Sequence, residues 1–217
     1  MAAPLVVFDL DGVLIDSAEA NVQAFRYGME QVGIMVTDRD SILDLVGLPA
    51  ITMLERLGCP IAEVDSVFKE FVTPYYVQNL PTLASAYPGA RQVLEQLLEA
   101  GFRIGACTSG DRITQKAALE AIGLWDLIEF MQTPDDSEFG KPDSRYLQEL
   151  LNRFGDHGDV HHVEDSEVGL IMGHTLGATT YYASYGNGKL SGTVEPHVTL
   201  KALKELPRAI LKTVASA

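Results

Sequence analysis

Short apolar runs alternate with amphipathic stretches along most of the chain. The runs are Leu5–Phe8, Arg103–Cys107, Ile128–Met131, Val160–Val163 and Thr179–Tyr182. Several are apolar throughout or nearly so, the pattern of strands covered on both faces. In Arg91–Ala100, Val93, Leu94, Leu97 and Leu98 share one stripe, opposite Arg91, Gln92, Glu95, Gln96 and Glu99. That spacing predicts a helix. The same reading predicts helices over about 112–122, 142–154 and 167–176. Strands alternating with helices predict an α/β, Rossmann-like, doubly wound parallel sheet with helices on both faces.

One region breaks this rhythm. From Ser17 to about Thr82 the pattern is helical and no convincing strand occurs. Ala18, Val22, Phe25, Met29 and Val32 recur in steps of four and three, and 39–57 and 61–79 read as further helices. Tyr87-Pro88-Gly89 then supplies the turn chemistry expected before a helix. The predicted organisation is an α/β core of residues 1–16 and 83–217 with an all-helical cap, 17–82, inserted after the first strand.

Composition narrows the partners. The chain has 217 residues, 47% apolar and 21% charged, which suits one or two folded units rather than a disordered polymer. Its formal charge of −14 argues against nucleic acid and anionic membranes, which both need a positive field. Cys59 and Cys107 form no C-x-x-C pair, the usage of a reducing compartment. The run Pro4–Phe8 is too short for a signal peptide, and no later run approaches the length of a membrane span. The expectation is a cytoplasmic protein, monomeric or weakly homodimeric.

Four short motifs carry candidate chemistry. The first strand ends in Phe8-Asp9-Leu10-Asp11-Gly12-Val13. Ligands of doubly wound sheets bind at the carboxyl ends of strands. Two carboxylates at i and i+2 there repel one another unless a cation lies between them, and hard Mg²⁺ prefers such oxygens. A turn with solvated aspartates is the bland alternative. Next, Ala106-Cys107-Thr108-Ser109-Gly110 ends the following core strand, where a hydroxyl and backbone N–H groups can hold an anion, or simply cap a helix. Gly140-Lys141-Pro142 offers a point charge suited to a phosphoryl oxygen, though most lysines are merely solvated. Finally, Val163-Glu164-Asp165-Ser166 puts adjacent acids at another strand end, either a metal site or an N-cap at Asp165.

In order and context, Asp-x-Asp, Thr/Ser, Lys and an acidic pair, the chain resembles the haloacid dehalogenase superfamily of phosphotransferases over nearly its whole length. The resemblance implies a role for each residue. Asp9 would be the nucleophile that forms an aspartyl-phosphate. Asp11 would be the acid that protonates the leaving oxygen and then the base that activates water. Thr108 and the Ser109 N–H would bind phosphoryl oxygens, and Lys141 would hold nucleophile and phosphoryl group. Asp165 with Glu164 would bind Mg²⁺ alongside Asp9 and the Asp11 carbonyl. Dehalogenases of the superfamily lack the second aspartate, so Asp11 points to phosphate chemistry. Glu164-Asp165-Ser166 is similar to β-phosphoglucomutase. The matching stretch Val46-Gly47-Leu48-Pro49-Ala50, however, lacks the arginine that this mutase carries after a Gly-x-Ser, and its apolar Leu-Pro resembles phosphoglycolate phosphatases. The expected function is a Mg²⁺-dependent phosphatase for a small phosphorylated metabolite. A sugar phosphomutase and a non-catalytic binding protein are the alternatives.

Other residues invite functional readings. His161 and His162 lie near three acids, but adjacent strand residues face opposite ways and cannot share a metal. Arg112 reads as a surface residue of a first helical turn. Tyr75, Tyr76 and Phe71 read as cap core at helical spacing. Asn21, Gly47 and Gln78 are the expected cap contacts to substrate. The cap is expected to close over the site about hinges near Asp16–Ser17 and Thr82–Ser85.

Overall fold

A computed structural model describes residues 2–214. Its sheet runs β5 (Phe130–Gln132), β4 (Arg103–Cys107), β1 (Leu5–Phe8), β6 (Val160–Glu164), β7 (Thr179–Ala183) and β8 (Val198–Leu200), in that spatial order. Every pairing in it is parallel. Alternation along β1 divides the core. Val6 and Phe8 face the larger cluster, which includes Val93, Leu94 and Leu97 of α6 (Ala90–Glu99) and extends into the cap. Leu5 and Val7 face the smaller one, built on Tyr146, Leu147 and Leu150 of α8 (Ser144–Phe154) and Met172 of α9 (Glu167–Thr175). Helices α7 (Arg112–Ala121) and α10 (Leu206–Val214) complete the core layer.

Predicted and observed elements differ in places. The run Ile128–Met131 pairs only as Phe130–Gln132, because Trp125–Leu127 forms a short 3₁₀ turn first. Strand β8 and helix α10 have no counterpart in the sequence reading; a three-residue edge strand is too short to show alternation.

Between β1 and α6 lies the inserted helical cap. It comprises α1 (Ala18–Gln31), α2 (Asp40–Leu43), α3 (Ala50–Arg56), α4 (Val64–Val67) and α5 (Thr73–Leu83). The helix predicted over 39–57 is broken between Asp44 and Pro49. There Gly47 has φ +102°, a left-handed conformation that favours glycine, and Pro49 starts α3 afresh. The helix predicted over 61–79 instead begins at Val64, passes through a π-turn at Phe68–Val72 and runs on to Leu83. Its face packs on α1, where Tyr27 stacks on Tyr75 at 4.7 Å. The two chain crossings between cap and core are tied by a two-residue antiparallel ribbon, β2 (Ile15–Asp16) with β3 (Ser85–Ala86). Among the described residues no helix is long and apolar enough to cross a membrane.

Candidate active site

Sheet register brings the motifs together. Phe8 lies level with Ala106 of β4 and Val163 of β6. The residues that follow these three, on three separate segments, therefore emerge side by side. The chain leaves β1 toward β4 but returns across to β6, so this point is the topological switch of the sheet, where a crevice opens.

Asp9 is buried there, its N–H donating to the Val163 carbonyl at 2.9 Å. Lys141 reaches it from the loop before α8. Its Nζ lies 2.9 Å from Asp9 Oδ1 and 2.5 Å from Glu164 Oε1, and its side chain is 2% exposed. Burial works against the ammonium charge, yet the pull of Asp9 and Glu164 prevails and lifts its pKa above the ordinary lysine range. Lys141 is thus a fixed cation rather than a solvated one. Carboxylate oxygens of Asp9, Glu164 and Asp165 lie within 4.8 Å of one another.

Asp165 is not the N-cap of α9. Ser166 takes that place, accepting the Gly169 N–H at 3.3 Å, and also donates to Glu164 Oε2 at 3.0 Å. Asp165 is thereby free to face Asp9. Its Oδ2 accepts the N–H groups of Asn187 and Gly188 at 2.9 and 3.0 Å. Gly12 makes room for it: with φ +80°, a Cβ at Gly12 would lie 2.0 Å from that oxygen. Gly169 does the same for Glu164, whose carboxyl carbon would meet a Cβ at 2.0 Å. Burial drives both Glu164 and Asp165 to higher pKa than in water, and Asp9 adds repulsion to each.

Three buried acids gather at one lysine that contacts only Asp9 and Glu164, so their negative charge is under-compensated. Asp9 and Asp165 each keep an oxygen outside the bonds above. Hard oxygens around an uncompensated charge suit Mg²⁺, and the residues present fit it.

Asp11 lines the crevice, clamped on both oxygens. Ser17 Oγ donates to Oδ1, and Gln115 Nε2 donates to Oδ2 at 2.6 Å. Burial raises the pKa of the Asp11 carboxyl, against these two hydrogen bonds and with Asp9 adding to the rise. Gln115 was missed in the sequence because it lies 104 residues from Asp11 along the chain, on a helix whose pattern marks it only as polar.

Thr108 and Ser109 line the same crevice and do not cap α7, since Asp111 does so by accepting from Ile113 and Thr114. Thr108 is held from behind, its carbonyl accepting the Tyr146 hydroxyl at 2.7 Å.

The remaining candidates separate. His161 packs edge-on against Phe102 and hydrogen-bonds the Tyr181 hydroxyl, whereas His162 lies against Gly173 on the other face, with burial lowering its pKa to about 3. Arg112 turns away to Asp136 and the Met131 carbonyl. Asn21 and Gly47 line the crevice, but Gln78 is exposed on the far side of α5 and does not. Tyr76 corrects its reading as cap core alone, because it is buried but also lines the crevice.

A doubly wound sheet whose switch point gathers acids around a buried lysine, under a helical cap, defines a class of hydrolase. The family described as "Haloacid dehalogenase-like hydrolase" matches residues 6–183, and the chain belongs to it. A phosphoglycolate phosphatase of Agrobacterium fabrum is 27% identical over 99% of this chain and 95% of its own length. Pyrophosphatase PpaX of Bacillus velezensis is 24% identical over 93% of each chain. A solved structure titled as a predicted phosphoglycolate phosphatase from Haemophilus somnus superposes with TM-score 0.86 at 21% identity, covering 95% of this chain and 97% of that one. It shares the fold.

Proposed function

We propose that the chain is a Mg²⁺-dependent phosphatase that hydrolyses a small phosphorylated metabolite through an aspartyl-phosphate on Asp9. The observation that carries this reading is the Lys141 bridge, which pins one Asp9 oxygen and leaves the carboxylate at the base of a crevice fronted by Asp11. The similarity to proteins named phosphatases supports it.

In the first step an Asp9 oxygen attacks phosphorus. The P–O ester bond breaks, its electron pair leaves with the alcohol oxygen, and Asp11 gives that oxygen its proton. A raised carboxyl pKa favours the protonated form that a general acid uses. In the second step water attacks phosphorus, Asp11 takes the water proton, and inorganic phosphate leaves Asp9. Thr108, the Ser109 N–H and Lys141 hold phosphoryl oxygens throughout and stabilise the charge that develops there. Asp9, Asp165 and the Asp11 carbonyl would hold Mg²⁺, with Glu164 beside them anchored by Lys141 and Ser166. The ion would neutralise the substrate dianion so that a carboxylate can approach it. The test is release of p-nitrophenol from p-nitrophenyl phosphate. Turnover with Mg²⁺ and its loss in EDTA are expected; equal rates in both would refute metal dependence.

Gln115 is a positioning residue in this scheme. Gln115→Leu frees one oxygen of Asp11 and should lower kcat/KM for an alkyl phosphate about 10- to 100-fold. The loss for p-nitrophenyl phosphate should be much smaller, because its leaving group needs no proton. Equal losses for both esters would show that Gln115 acts on the fold or on phosphoryl binding instead.

Metal and pH should be linked through stability. Glu164 and Asp165 have raised pKa values when folded, so in that range the native state holds more protons than the unfolded chain. Their contribution therefore turns against folding as pH climbs above the unfolded values of about 4. The increase in Tm on adding Mg²⁺ should grow from about pH 5 to neutrality. A Mg²⁺ effect that is flat or shrinking over that window in thermal denaturation would contradict this linkage.

A further inference from the structure

Beside Asp9 and Asp11 the crevice continues between cap and core as a cavity of about 50 Å³ that opens to solvent. Its far wall is apolar: Phe25, Val46, Leu48, Met53, Phe68 and Val72. Among the described residues that line it there is no Lys, Arg or His, whereas Asp9, Asp11 and Asp111 all do. The buried Lys141 pairs with Asp9 and Glu164, and its remaining capacity goes to the transferring phosphoryl group, not to the rest of the substrate. Two basic side chains, Arg56 of the cap and Lys189 of the core, line a separate cleft that shares residues 46–48, in company with Asp44 and Glu167. Lys189 is paired there with Asp44 at 3.0 Å.

Two polar atoms in the crevice are buried without a well-formed hydrogen bond, although Tyr76 Oη has close by the Ser17 hydroxyl, itself given to Asp11. Tyr76 Oη is one, on a side chain 4% exposed, and Gln115 Oε1 is the other, on a side chain 3% exposed. The hydroxyl of Tyr76 can donate and Gln115 Oε1 can only accept. Buried polar groups are almost always satisfied in native proteins, so a ligand able to accept one hydrogen bond and donate another would complete them. An alcohol hydroxyl does both, and a carboxylate or phosphate cannot donate to Gln115.

We infer that the substrate is the phosphate monoester of a small uncharged alcohol bearing a further hydroxyl, and that leaving groups with a carboxylate or second phosphate are rejected. The inference rests on the phosphatase reading above and narrows it. A second anion would be stripped of water beside Asp11 and Asp111, while Lys141 and Mg²⁺ would already be engaged by Asp9 and the transferring phosphoryl group. It also separates this chain from the substrates that the names of its relatives suggest.

The experiment measures kcat/KM with Mg²⁺ for p-nitrophenyl phosphate, glycerol 1-phosphate, phosphoglycolate and pyrophosphate. Both uncharged leaving groups should turn over, and glycerol 1-phosphate should exceed phosphoglycolate and pyrophosphate about 100-fold, as expected for unpaired like charge in a desolvated site. Phosphoglycolate or pyrophosphate matching glycerol 1-phosphate, while p-nitrophenyl phosphate is hydrolysed, overturns this inference alone. Turnover of none of the four overturns the phosphatase reading and the inference with it. Two variants test the mechanism of choice. Leu48→Arg supplies the missing cation and should raise the ratio of phosphoglycolate to glycerol 1-phosphate. Tyr76→Phe should lower the ratio of glycerol 1-phosphate to p-nitrophenyl phosphate about 10-fold, the worth of one buried hydrogen bond. Unchanged ratios in both variants count against the assignment of the crevice.

Discussion

Exchanging Asp9 for Asn should lower turnover of p-nitrophenyl phosphate by about 10⁴-fold or more, the scale of loss when a nucleophile is removed. The same change should not unfold the protein. Asn is nearly isosteric, and it removes one of three carboxylates crowded around a single lysine. Lys141 keeps Glu164 at 2.5 Å, and Asp165 loses its nearest repulsive neighbour. The metal-free variant should therefore melt at or above the wild-type temperature while its activity is gone. Phosphate release and thermal denaturation in EDTA read the two effects separately. Activity within tenfold of wild type would remove Asp9 from the chemistry, and a collapse in Tm would make the loss one of folding.

Lys141→Met has the opposite signature, with stability and activity falling together. Met fills much of the same volume but leaves Asp9, Glu164 and Asp165 buried with no cation. Removing one partner of a buried ionic cluster costs about 3–5 kcal/mol. Chemical denaturation at neutral pH in EDTA should show a loss of that order. The deficit should shrink toward pH 4, where protonated carboxyls no longer need the lysine, and with saturating Mg²⁺, which supplies charge to the same cluster. A deficit that grows on acidification would mean that Lys141 contributes by packing rather than by charge. Phosphate release should fall about 10³-fold, because the phosphoryl group loses a fixed cation.

Both effects depend on a cluster whose members were recognisable in the sequence and whose bonds were not. Asp9, Thr108 and the Glu164-Asp165 pair each follow an apolar run, and parallel strands must deliver their carboxyl ends to one edge of the sheet. Position in the motif thus implied proximity in space before any coordinate was known. The N-cap alternatives are answered by the caps themselves. Asp111 and Ser166 terminate α7 and α9, which leaves Thr108, Ser109 and Asp165 unengaged by helix ends. Nothing local in the sequence distinguishes Ser166 from Asp165 as a cap, since both types are favoured there.

The periodic segments of the core, α6 to α9, fall within two residues of their predicted limits, since their apolar stripes must face the sheet. The cap is less legible. Residues 39–57 keep a helical spacing of apolar positions through the break at Asp44–Pro49, so periodicity alone bridges it.

By itself, then, the sequence determined the alternation of strand and helix, the inserted helical block and the identity of the acids and lysine. These follow from local spacing and from the geometry that any parallel sheet imposes. Only the tertiary structure decided that Gln115 and Ser17 clamp Asp11, that Lys141 bridges Asp9 and Glu164, and that Tyr76 opens into a crevice whose described lining holds no Lys, Arg or His. Each depends on side chains from distant segments meeting at a buried point. Their distances are set by how cap and core pack, and no pattern along the chain records that.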